Sequence, residues 1–386
     1  MFPTLSHIIE YFTGIHLSLP FNTFGFFMAV AFSCAYWAFR SELKRKEQLG
    51  LVHAITKKVV VGKPAQFNEL VLDGFLGFVI GFKLMGALLN YSDFMSNTEQ
   101  YILSTNGNFM GGVGFAILFV YLTYRDKKKQ ELPTPKEITV IVHPHQMMWN
   151  ILIWAAVAGI IGAKLFHNLE YWDDFARDPI HGLLSFSGLT FYGGLLAGAG
   201  AVIYYTRKQG INTWVMADVG APGMMLAYGV GRIGCHLSGD GDWGIVNLHP
   251  KPTYFTWLPD WLWAYNYPNN VVNDGVAIAN CSGKYCNMLP LPVYPTPFYE
   301  ALICVMLFGL LWLLRKRITT TGMMLCSYLI VNGLERFLIE KIRVNSQYHA
   351  FGLAFTQAEM ISFLMILSGV GGILYLLRNK QRTVKN

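Results

Sequence analysis

The amino-acid sequence predicts an all-α, polytopic helical membrane protein with about nine transmembrane helices. Only 14% of the 386 residues are charged, whereas soluble domains usually carry about 25%. Apolar stretches of roughly 17 to 25 residues recur along the whole chain, and this is the length that a helix needs to cross the hydrocarbon layer. These two observations exclude an ordinary soluble enzyme.

Nine spans fit the apolar stretches and make up a single transmembrane domain over residues 1–386. They lie at about residues 22–40, 70–90, 109–124, 147–166, 188–206, 213–233, 298–314, 322–340 and 356–377. Residues 235–297, between the sixth and seventh spans, predict an extracytoplasmic loop or head, rich in the tryptophan and tyrosine that favour membrane interfaces. Cys281 and Cys286 lie in this loop, where an oxidising compartment would permit a disulfide, and the sequence leaves their pairing open.

Lysine and arginine alternate between successive loops, and this bias sets the orientation of a membrane protein. The loops at 40–69 and 125–146 are strongly basic, whereas 91–108 has no lysine or arginine and 167–187 has only Arg177. The basic loops therefore predict the cytoplasmic side, with the N-terminus and the 235–297 loop outside and the C-terminus inside. Because the net charge of +7 arises in these loops rather than on one basic face, no nucleic-acid partner is expected.

Residues 70–125 and 150–207 resemble each other and predict a duplicated pair of helices. Residues 77–84 match 158–165, and the Phe-Met-Gly-Gly at 109–112 matches the Phe-Tyr-Gly-Gly at 191–194. Both copies start on the inside, so the repeat is parallel and adds two crossings without reversing the rest. Parallel repeats occur in transporters, which keeps a non-enzymatic lipid-binding or transport protein open as an alternative function.

Ionisable residues within the spans are costly to bury in lipid and usually functional. They are Asp73, Lys83, Lys164, Asp218, Arg232, Glu335, Arg336 and Glu340. Arg336, Glu340 and Arg343 follow at i, i+4 and i+7, which predicts that they share one helical face. That face is either an interface anchor or, together with Arg232, an anion site, because guanidinium groups suit phosphate geometry. A phospholipid head group is the abundant anion at this depth.

The glycine-rich stretch 229–244 ends the sixth span and enters the outer loop. Its first glycines either allow close helix packing or belong to a site. Beyond Gly234 an irregular backbone could wrap a polar ligand, and the polar residues there are His236, Ser238, Asp240 and Asp242. No spacing of histidine and cysteine suggests zinc, so no metal is expected.

Three patches of the sequence resemble the prolipoprotein diacylglyceryl transferase family. The stretch Thr190 to Leu195 resembles the family's S-F-H-G-G-L turn, and Gly231 to Asp240 followed by Trp243-Gly244 resembles its G-R-[IL]-G-N-F-[IL]-N-G-E signature. Arg336, Glu340 and Arg343 resemble its F-R-x-x-x-E-x-x-R helix. The order and spacing agree over roughly 150–377 and in the first span.

The sequence also departs from the family pattern. Tyr192 stands in place of a histidine, Cys235 and Ser238 in place of asparagines, Lys164 in place of an arginine and Phe24 in place of a tyrosine. One residue is inserted near Gly241. These differences keep open a second alternative, an inactive paralogue of the transferase.

The resemblance implies an enzyme of the bacterial inner membrane that moves diacylglyceryl from phosphatidylglycerol to the lipobox cysteine of preprolipoprotein signal peptides. It implies no cofactor. The catalytic candidates are Arg232, Arg336, Glu340 and Tyr192, with the arginines on the phosphate and Glu340 orienting Arg336. The substrate-binding candidates are Lys164, Gly193, Gly194, His236, Ser238, Asp240, Gly244 and Arg343. Tyr192, His236 and Asp240 are alternatives for the group that helps to form the substrate thiolate.

Overall fold

The structure, a computed structural model, describes residues 1–96, 98–184, 190–281, 283–345, 347–350 and 353–385. Contacts between its elements divide the chain into two compact units. Unit 1 comprises Met1–Val52 and Ile211–Asn386, and unit 2 comprises His53–Gly210. The prediction of one transmembrane domain over the whole chain stays a prediction.

Helices dominate the described residues. In chain order the elements are α1 (Leu5–Thr13), α2 (Thr23–Gln48), β1 (Ile55–Val61), α3 (Phe67–Leu89), α4 (Tyr91–Ser96), α5 (Thr98–Leu103), α6 (Phe109–Gln130), β2 (Lys136–Val142), α7 (Met148–Glu170), α8 (Trp172–Arg177), α9 (Pro179–Leu184), α10 (Phe191–Lys208), α11 (Thr213–Ser238), β3 (Val276–Ala277), β4 (Asn287–Met288), α12 (Thr296–Leu314), α13 (Met323–Glu340), β5 (Gln347–Ala350), β6 (Leu353–Thr356) and α14 (Gln357–Lys385).

Each of the nine predicted spans overlaps one of the long helices over nearly its whole length, and these helices are α2, α3, α6, α7, α10, α11, α12, α13 and α14. Residues 188 and 189 of the fifth span lie outside the described residues. Among the described residues, four helical segments are long and apolar enough to cross a membrane: Phe67–Leu89, Pro144–Glu170, Thr296–Leu314 and Gln357–Asn379. The other five long helices carry charged ends or many glycines, which lower their apolar character. A mostly helical membrane protein is therefore supported, and nine crossings remain a prediction.

The all-α prediction missed three small antiparallel sheets that the described part of the chain contains, each of two strands: β1 with β2, β3 with β4, and β5 with β6. The first is the longest, with seven residue pairs from Ile55 opposite Val142 to Val61 opposite Lys136. Its strands lie in the two basic loops, whose lysines were interpreted only as signals of orientation.

Helix α11 is the centre of unit 1 and packs against α2, α12 and α13, while α14 packs on α13. Small residues allow the close contacts: a Cβ atom at Gly223 would lie 2.4 Å from the Phe39 ring of α2. The buried core between α11, α12 and α13 consists of Ala221, Met225, Cys304, Leu311, Met324 and Tyr328. Because α11 contacts three neighbours, side chains at its C-terminal end meet residues from several segments.

The start of α13 is fixed by an aspartate of α11. Asp218 is buried and accepts hydrogen bonds from the backbone N–H groups of Gly322 (2.8 Å) and Leu325 (2.9 Å). The first N–H groups of a helix have no partner within the helix, so this carboxylate satisfies two of them. It thereby fixes the position of α13 along α11.

Unit 2 contains two helical hairpins with the same order of elements. In the first, α3 packs on α6 and the short helices α4 and α5 connect them; in the second, α7 packs on α10 and α8 and α9 connect them. Glycines allow both contacts: a Cβ at Gly81 would lie 2.5 Å from the Gly111 carbonyl oxygen, and one at Gly162 would lie 2.5 Å from the Gly193 carbonyl oxygen. The architecture fits the predicted duplication, which itself stays a prediction.

Residues 239–295 of unit 1, in their described part, hold only short elements, namely the 3-10 turns Thr253–Phe255 and Asp260–Leu262 and the strands β3 and β4. Tyr267, Leu289 and Val293 form a small core. Cys281 and Cys286, whose pairing the sequence left open, are joined by a disulfide. The extracytoplasmic position of this segment stays a prediction.

Candidate functional site

The C-terminal end of α11 presents Arg232 to two carboxylates. The Nε atom of Arg232 pairs with Glu300 in the first turns of α12, and its Nη1 atom pairs with Asp242 in the loop after α11. The guanidinium group also lies 5.2 Å from the ring centre of Tyr228, one helical turn earlier, in cation–π geometry. Arg232 is thus held at the meeting point of a helix end, a loop and a neighbouring helix.

Arg336, in α13, faces the same carboxylate. Its Nη1 atom lies 3.2 Å from Oε1 of Glu300, and its Nη2 atom lies 3.0 Å from Oε2 of Glu340, one turn later in α13. The predicted i, i+4 pairing of Arg336 with Glu340 is therefore present in the structure. The Nδ2 atom of Asn345 donates a hydrogen bond to Glu340 at 2.6 Å and fixes the far side of this carboxylate.

Glu300 is the centre of the cluster. Its side chain is fully buried, and it pairs with Arg232, with Arg336 and, at 3.0 Å, with Nη1 of Arg343. The hydroxyl of Tyr228 donates a further hydrogen bond to it at 3.2 Å. A buried carboxylate with several charge-assisted hydrogen bonds has little freedom, so Glu300 holds three guanidinium groups close together.

Arg343 reaches the cluster by a different route from the predicted one. Because α13 ends at Glu340, Arg343 is not on its helical face; it forms an antiparallel bridge with Gly244. The Ile245 N–H donates to the carbonyl oxygen of Ile342 at 2.9 Å. A Cβ atom at Gly244 would lie 2.5 Å from that same oxygen, so glycine is needed for this close approach of two backbones.

Asp242 is the accessible carboxylate of the cluster. Its Oδ1 atom lies 2.6 Å from Nη2 of Arg343, and its side chain is 34% exposed while that of Glu300 is 0% exposed. Burial opposes ionisation of Asp242, but the charges of Arg232 and Arg343 outweigh this effect, so its pKa lies below the ordinary value. The backbone carbonyl of Asp242 accepts a hydrogen bond from the Thr296 hydroxyl at 2.9 Å, which ties the loop to α12.

Three arginines therefore face three carboxylates, Asp242, Glu300 and Glu340, at one end of the helices of unit 1. Glu335 lies in α13 beside Arg336 and is buried, and neither of its oxygens has a hydrogen-bond partner within the described residues. The three guanidinium groups could bind a phosphate oxygen, provided that a carboxylate gives way. Asp242 is the carboxylate with the exposure to do so.

His236 and Ser238 have packing roles in the structure. The Nδ1 atom of His236 lies 3.2 Å from the Tyr267 hydroxyl, and the ring is buried against Trp261 and Phe298. The Ser238 hydroxyl donates to the carbonyl oxygen of Gly234 at 2.8 Å, within its own helix. Their predicted contact with substrate stays a prediction.

Asp240 lies beside the cluster and close to Cys235. Burial and the neighbouring charge of Asp242 both raise the pKa of Asp240 above its ordinary value. The donor atoms of Cys235, Asp240 and Asp242 lie within 4.8 Å of one another, the spacing of a possible metal site. Because Asp242 is already paired with two arginines, the local charge does not favour a metal cation there, and the expectation of no metal stays a prediction.

The remaining candidates belong to unit 2. Gly193 and Gly194 pack on α7, where Cβ atoms would lie 2.5 Å and 3.1 Å from the carbonyl oxygens of Gly162 and Gly159. Lys164 is buried in α7, and Tyr192 is half-buried in the first turn of α10. Their convergence with the arginines of unit 1 stays a prediction, as do their roles.

Glu300 and Asp242 were missed as site residues. Glu300 is the third residue of the predicted seventh span, so the rule applied to other ionisable residues within spans would have identified it. Asp242 is one of the polar residues of the glycine-rich stretch, but the resemblance to the family signature ends at Asp240 and does not include it. Only the structure brings it to the arginines.

Comparison with known proteins identifies the family. The family model of prolipoprotein diacylglyceryl transferases matches residues 109–375, which include α6 and every residue of the charged cluster but exclude the predicted first span. The matched stretch thus begins earlier than the resemblance at about 150.

Similar proteins named phosphatidylglycerol–prolipoprotein diacylglyceryl transferase occur in Enterococcus faecalis and Chromobacterium violaceum. The first is 27% identical over 62% of this chain and 77% of its own length. The second is 29% identical over 70% of this chain and 90% of its own length. The chain belongs to the prolipoprotein diacylglyceryl transferase family, whose members are transferases.

Proposed function

We propose that this protein transfers the diacylglyceryl group of phosphatidylglycerol to the lipobox cysteine of preprolipoprotein signal peptides. We place it in the bacterial inner membrane as a multi-pass protein, with the N-terminus outside and the C-terminus in the cytoplasm. The names of the similar proteins and the bias of lysine and arginine support these assignments. The observation that carries the proposal is the convergence of Arg232 and Arg336 on Glu300.

The reaction is a displacement at the glyceryl carbon that carries the phosphate. The cysteine sulfur forms a carbon–sulfur bond, the carbon–oxygen bond to the phosphate breaks, and glycerol phosphate leaves with the electron pair. Negative charge grows on the leaving phosphate, and preorganised cations in a site with little water stabilise such charge. We assign Arg232 and Arg336 to this phosphate, with Arg343 beside them.

Glu300 and Glu340 position the arginines rather than contact the substrate. Each guanidinium group has five N–H donors, so Arg336 can keep its contacts with Glu300 and Glu340 and still present a donor to phosphate. Both carboxylates lie on long helices, which hold the arginines more firmly than a loop would. This arrangement fixes three guanidinium groups as donors for the phosphate, and the proposed reaction requires neither a metal nor an organic cofactor.

The thiol proton needs an acceptor, because the thiolate is the nucleophile. Tyr192, His236 and Asp240 were the alternatives, and the geometry of unit 1 favours Asp240. His236 is enclosed by aromatic rings, whereas the Asp240 carboxyl has a raised pKa beside the arginine cluster. A carboxylate with raised proton affinity accepts a proton from a thiol more readily than an ordinary carboxylate does.

The decisive test combines purified protein in phosphatidylglycerol vesicles with a peptide that carries a lipobox cysteine. We expect the wild type to form the thioether-linked diacylglyceryl peptide and to release glycerol phosphate. The variants Arg232→Ala and Arg336→Ala should each lower the rate by at least about a hundredfold, because loss of a preorganised charge-stabilising group has effects of this size.

Arg317→Ala is the matched control, because Arg317 is exposed and follows the C-terminal end of α12 by three residues, whereas Glu300 lies near its N-terminal end. It should retain the wild-type rate. Full activity in both cluster variants would contradict the site. Lipid movement without any thioether product would favour the lipid-transport alternative, and a wild type that inserts but never converts the peptide would favour the inactive paralogue.

A further inference from the structure

The strands β1 and β2 form a ribbon with one apolar face and one polar face. Paired residues of antiparallel strands point to the same side, and successive pairs alternate. One face carries the pairs Ile55–Val142, Lys57–Val140, Val59–Ile138 and Val61–Lys136. The other carries Thr56–Ile141, Lys58–Thr139 and Val60–Glu137, and Lys58 lies 3.7 Å from Glu137 on it.

The apolar face is open. Val59, Ile138 and Val140 are 43%, 42% and 37% exposed, and they are neighbours on this face. A two-stranded ribbon is marginally stable in water, since it needs a hydrophobic surface to cover one side. The apolar face of the ribbon therefore has the composition of a contact surface, and covering it would stabilise the ribbon.

The chain connections keep the ribbon near the bilayer. Five residues separate β1 from α3, and one residue separates β2 from the helical segment Pro144–Glu170; both helices are apolar enough to cross a membrane. Five extended residues reach at most about 18 Å. The ribbon must therefore lie close to the ends of these two helices, at the level of the lipid head groups.

The charge of the ribbon suits an anionic surface. Residues 53–66 and 131–147 contain four lysines, Lys57, Lys58, Lys63 and Lys136, against two glutamates. Lys57 and Lys136 lie on the apolar face itself, and long lysine stems can follow an apolar surface while the ammonium groups reach the phosphates. The basic last turn of α6, with Lys127, Lys128 and Lys129, precedes β2 by five residues in the chain.

We propose that the β1–β2 ribbon docks its apolar face on the anionic lipid surface at the basic ends of the helices. The occupant is the phospholipid leaflet itself, which accepts the aliphatic side chains between its head groups and pairs with Lys57 and Lys136. The ribbon shares no residue with the arginine cluster, so this proposal does not depend on the transfer reaction.

The test uses the full-length protein in bilayer discs, with a photoreactive amino acid at Val140 or at Thr139. These neighbours in β2 are both exposed but point to opposite faces. In discs of phosphatidylglycerol and phosphatidylcholine, we expect roughly tenfold more lipid adduct from position 140 than from position 139. In discs of phosphatidylcholine alone, the adduct from position 140 should fall.

Charge variants separate the lipid surface from other partners. Lys57→Gln with Lys136→Gln should lower the lipid adduct at position 140 by roughly fivefold or more in the anionic discs, since each lysine at an anionic surface contributes about that factor. Lys58→Gln, on the polar face, is the matched control and should leave it unchanged. Equal labelling of both faces, no response to lipid charge, or cross-linking to a second copy of the chain would overturn the proposal.

Discussion

At the scale of single residues, the charged cluster depends on one carboxylate that three arginines share. Glu300 contacts Arg232, Arg336 and Arg343, which come from a helix end, a helix interior and a bridging segment. The three like charges would repel one another without it. Asp242 differs because it is partly exposed and contacts only two of them. Removing the charge of Glu300 should therefore lower stability and activity, whereas removing the charge of Asp242 should improve binding of the anionic lipid.

Glu300→Gln should be strongly destabilising and inactivating. Removing one partner from a buried ion pair leaves uncompensated charge and typically costs about 3–5 kcal/mol. We expect a thermal midpoint several degrees lower, together with loss of transfer activity. Glu300→Asp keeps the charge but shortens the reach, so it should recover part of the stability and little of the activity. A Glu300→Gln protein with wild-type stability would contradict the shared-carboxylate arrangement.

Asp242→Asn should improve binding of the anionic lipid. Asp242 and a phosphate require the same N–H groups of Arg232 and Arg343, so they compete. Removing the carboxylate charge should lower the KM for phosphatidylglycerol by roughly three- to tenfold, an effect of up to about 1.4 kcal/mol. Asp274→Asn changes an exposed aspartate of the same segment, residues 239–295, and is the control that should leave the KM unchanged.

The pH dependence of this effect follows from the pKa of Asp242, which its arginine partners hold below the ordinary value of 3.8 against the effect of burial. A lowered pKa means that the ion pair contributes fully above the unfolded value and is lost only as the pH falls through the folded value. The ratio of the two KM values should therefore stay constant between about pH 5 and about pH 8. A KM that rises in Asp242→Asn would show that Asp242 holds the arginines in place rather than competing with phosphate.

At the scale of elements, the two hairpins of unit 2 depend on glycines at their helix contacts. A Cβ at Gly162 would lie 2.2 Å from the Ala197 side chain and 2.5 Å from the Gly193 carbonyl oxygen. Gly200, in the same pair of helices, has nothing within 4 Å of such an atom. The same contrast exists in the first hairpin between Gly81 and Gly114. Glycine is thus required at some helical positions and incidental at others.

Gly162→Ala should therefore separate α7 from α10 and lower stability by about 1–3 kcal/mol, the usual cost of overpacking. Gly200→Ala should not lower the stability, because the added methyl group contacts no neighbour and alanine favours the helix. Thermal unfolding in detergent would measure both. Equal midpoints for the two variants would indicate that the backbone contact at Gly162 relaxes without cost.

At the scale of the whole molecule, the lengths of the apolar stretches were sufficient to locate the long helices. The nine predicted spans coincide with nine described long helices, because each needs an uninterrupted apolar run. The β1–β2 ribbon was not predicted, because its pairing joins segments about 80 residues apart and its lysines dominated the interpretation.

Contacts within the charged cluster could be predicted from the sequence where the geometry is local, whereas the roles of its residues stay predictions. The Arg336–Glu340 pair follows from helical spacing, and it is present. The position of Arg343 does not follow from that spacing, because α13 ends at Glu340 and a backbone bridge to Gly244 takes over. Similarly, Asp242 reaches the cluster through a turn in which Gly239 and Gly241 have positive φ. The direction of the chain after such a turn cannot be predicted from helical spacing.

The position of Glu300 in the chain determines when the arginines can find their shared partner during synthesis. The ribosome releases Arg232 first and Glu300 next, and Arg336 and Arg343 emerge last. An unpaired charge enters a bilayer reluctantly, so α11 and α12 gain from inserting together, with Arg232 and Glu300 already neutralised. Nascent chains that stop before α13 would therefore lack two of the three arginines that Glu300 contacts in the folded protein.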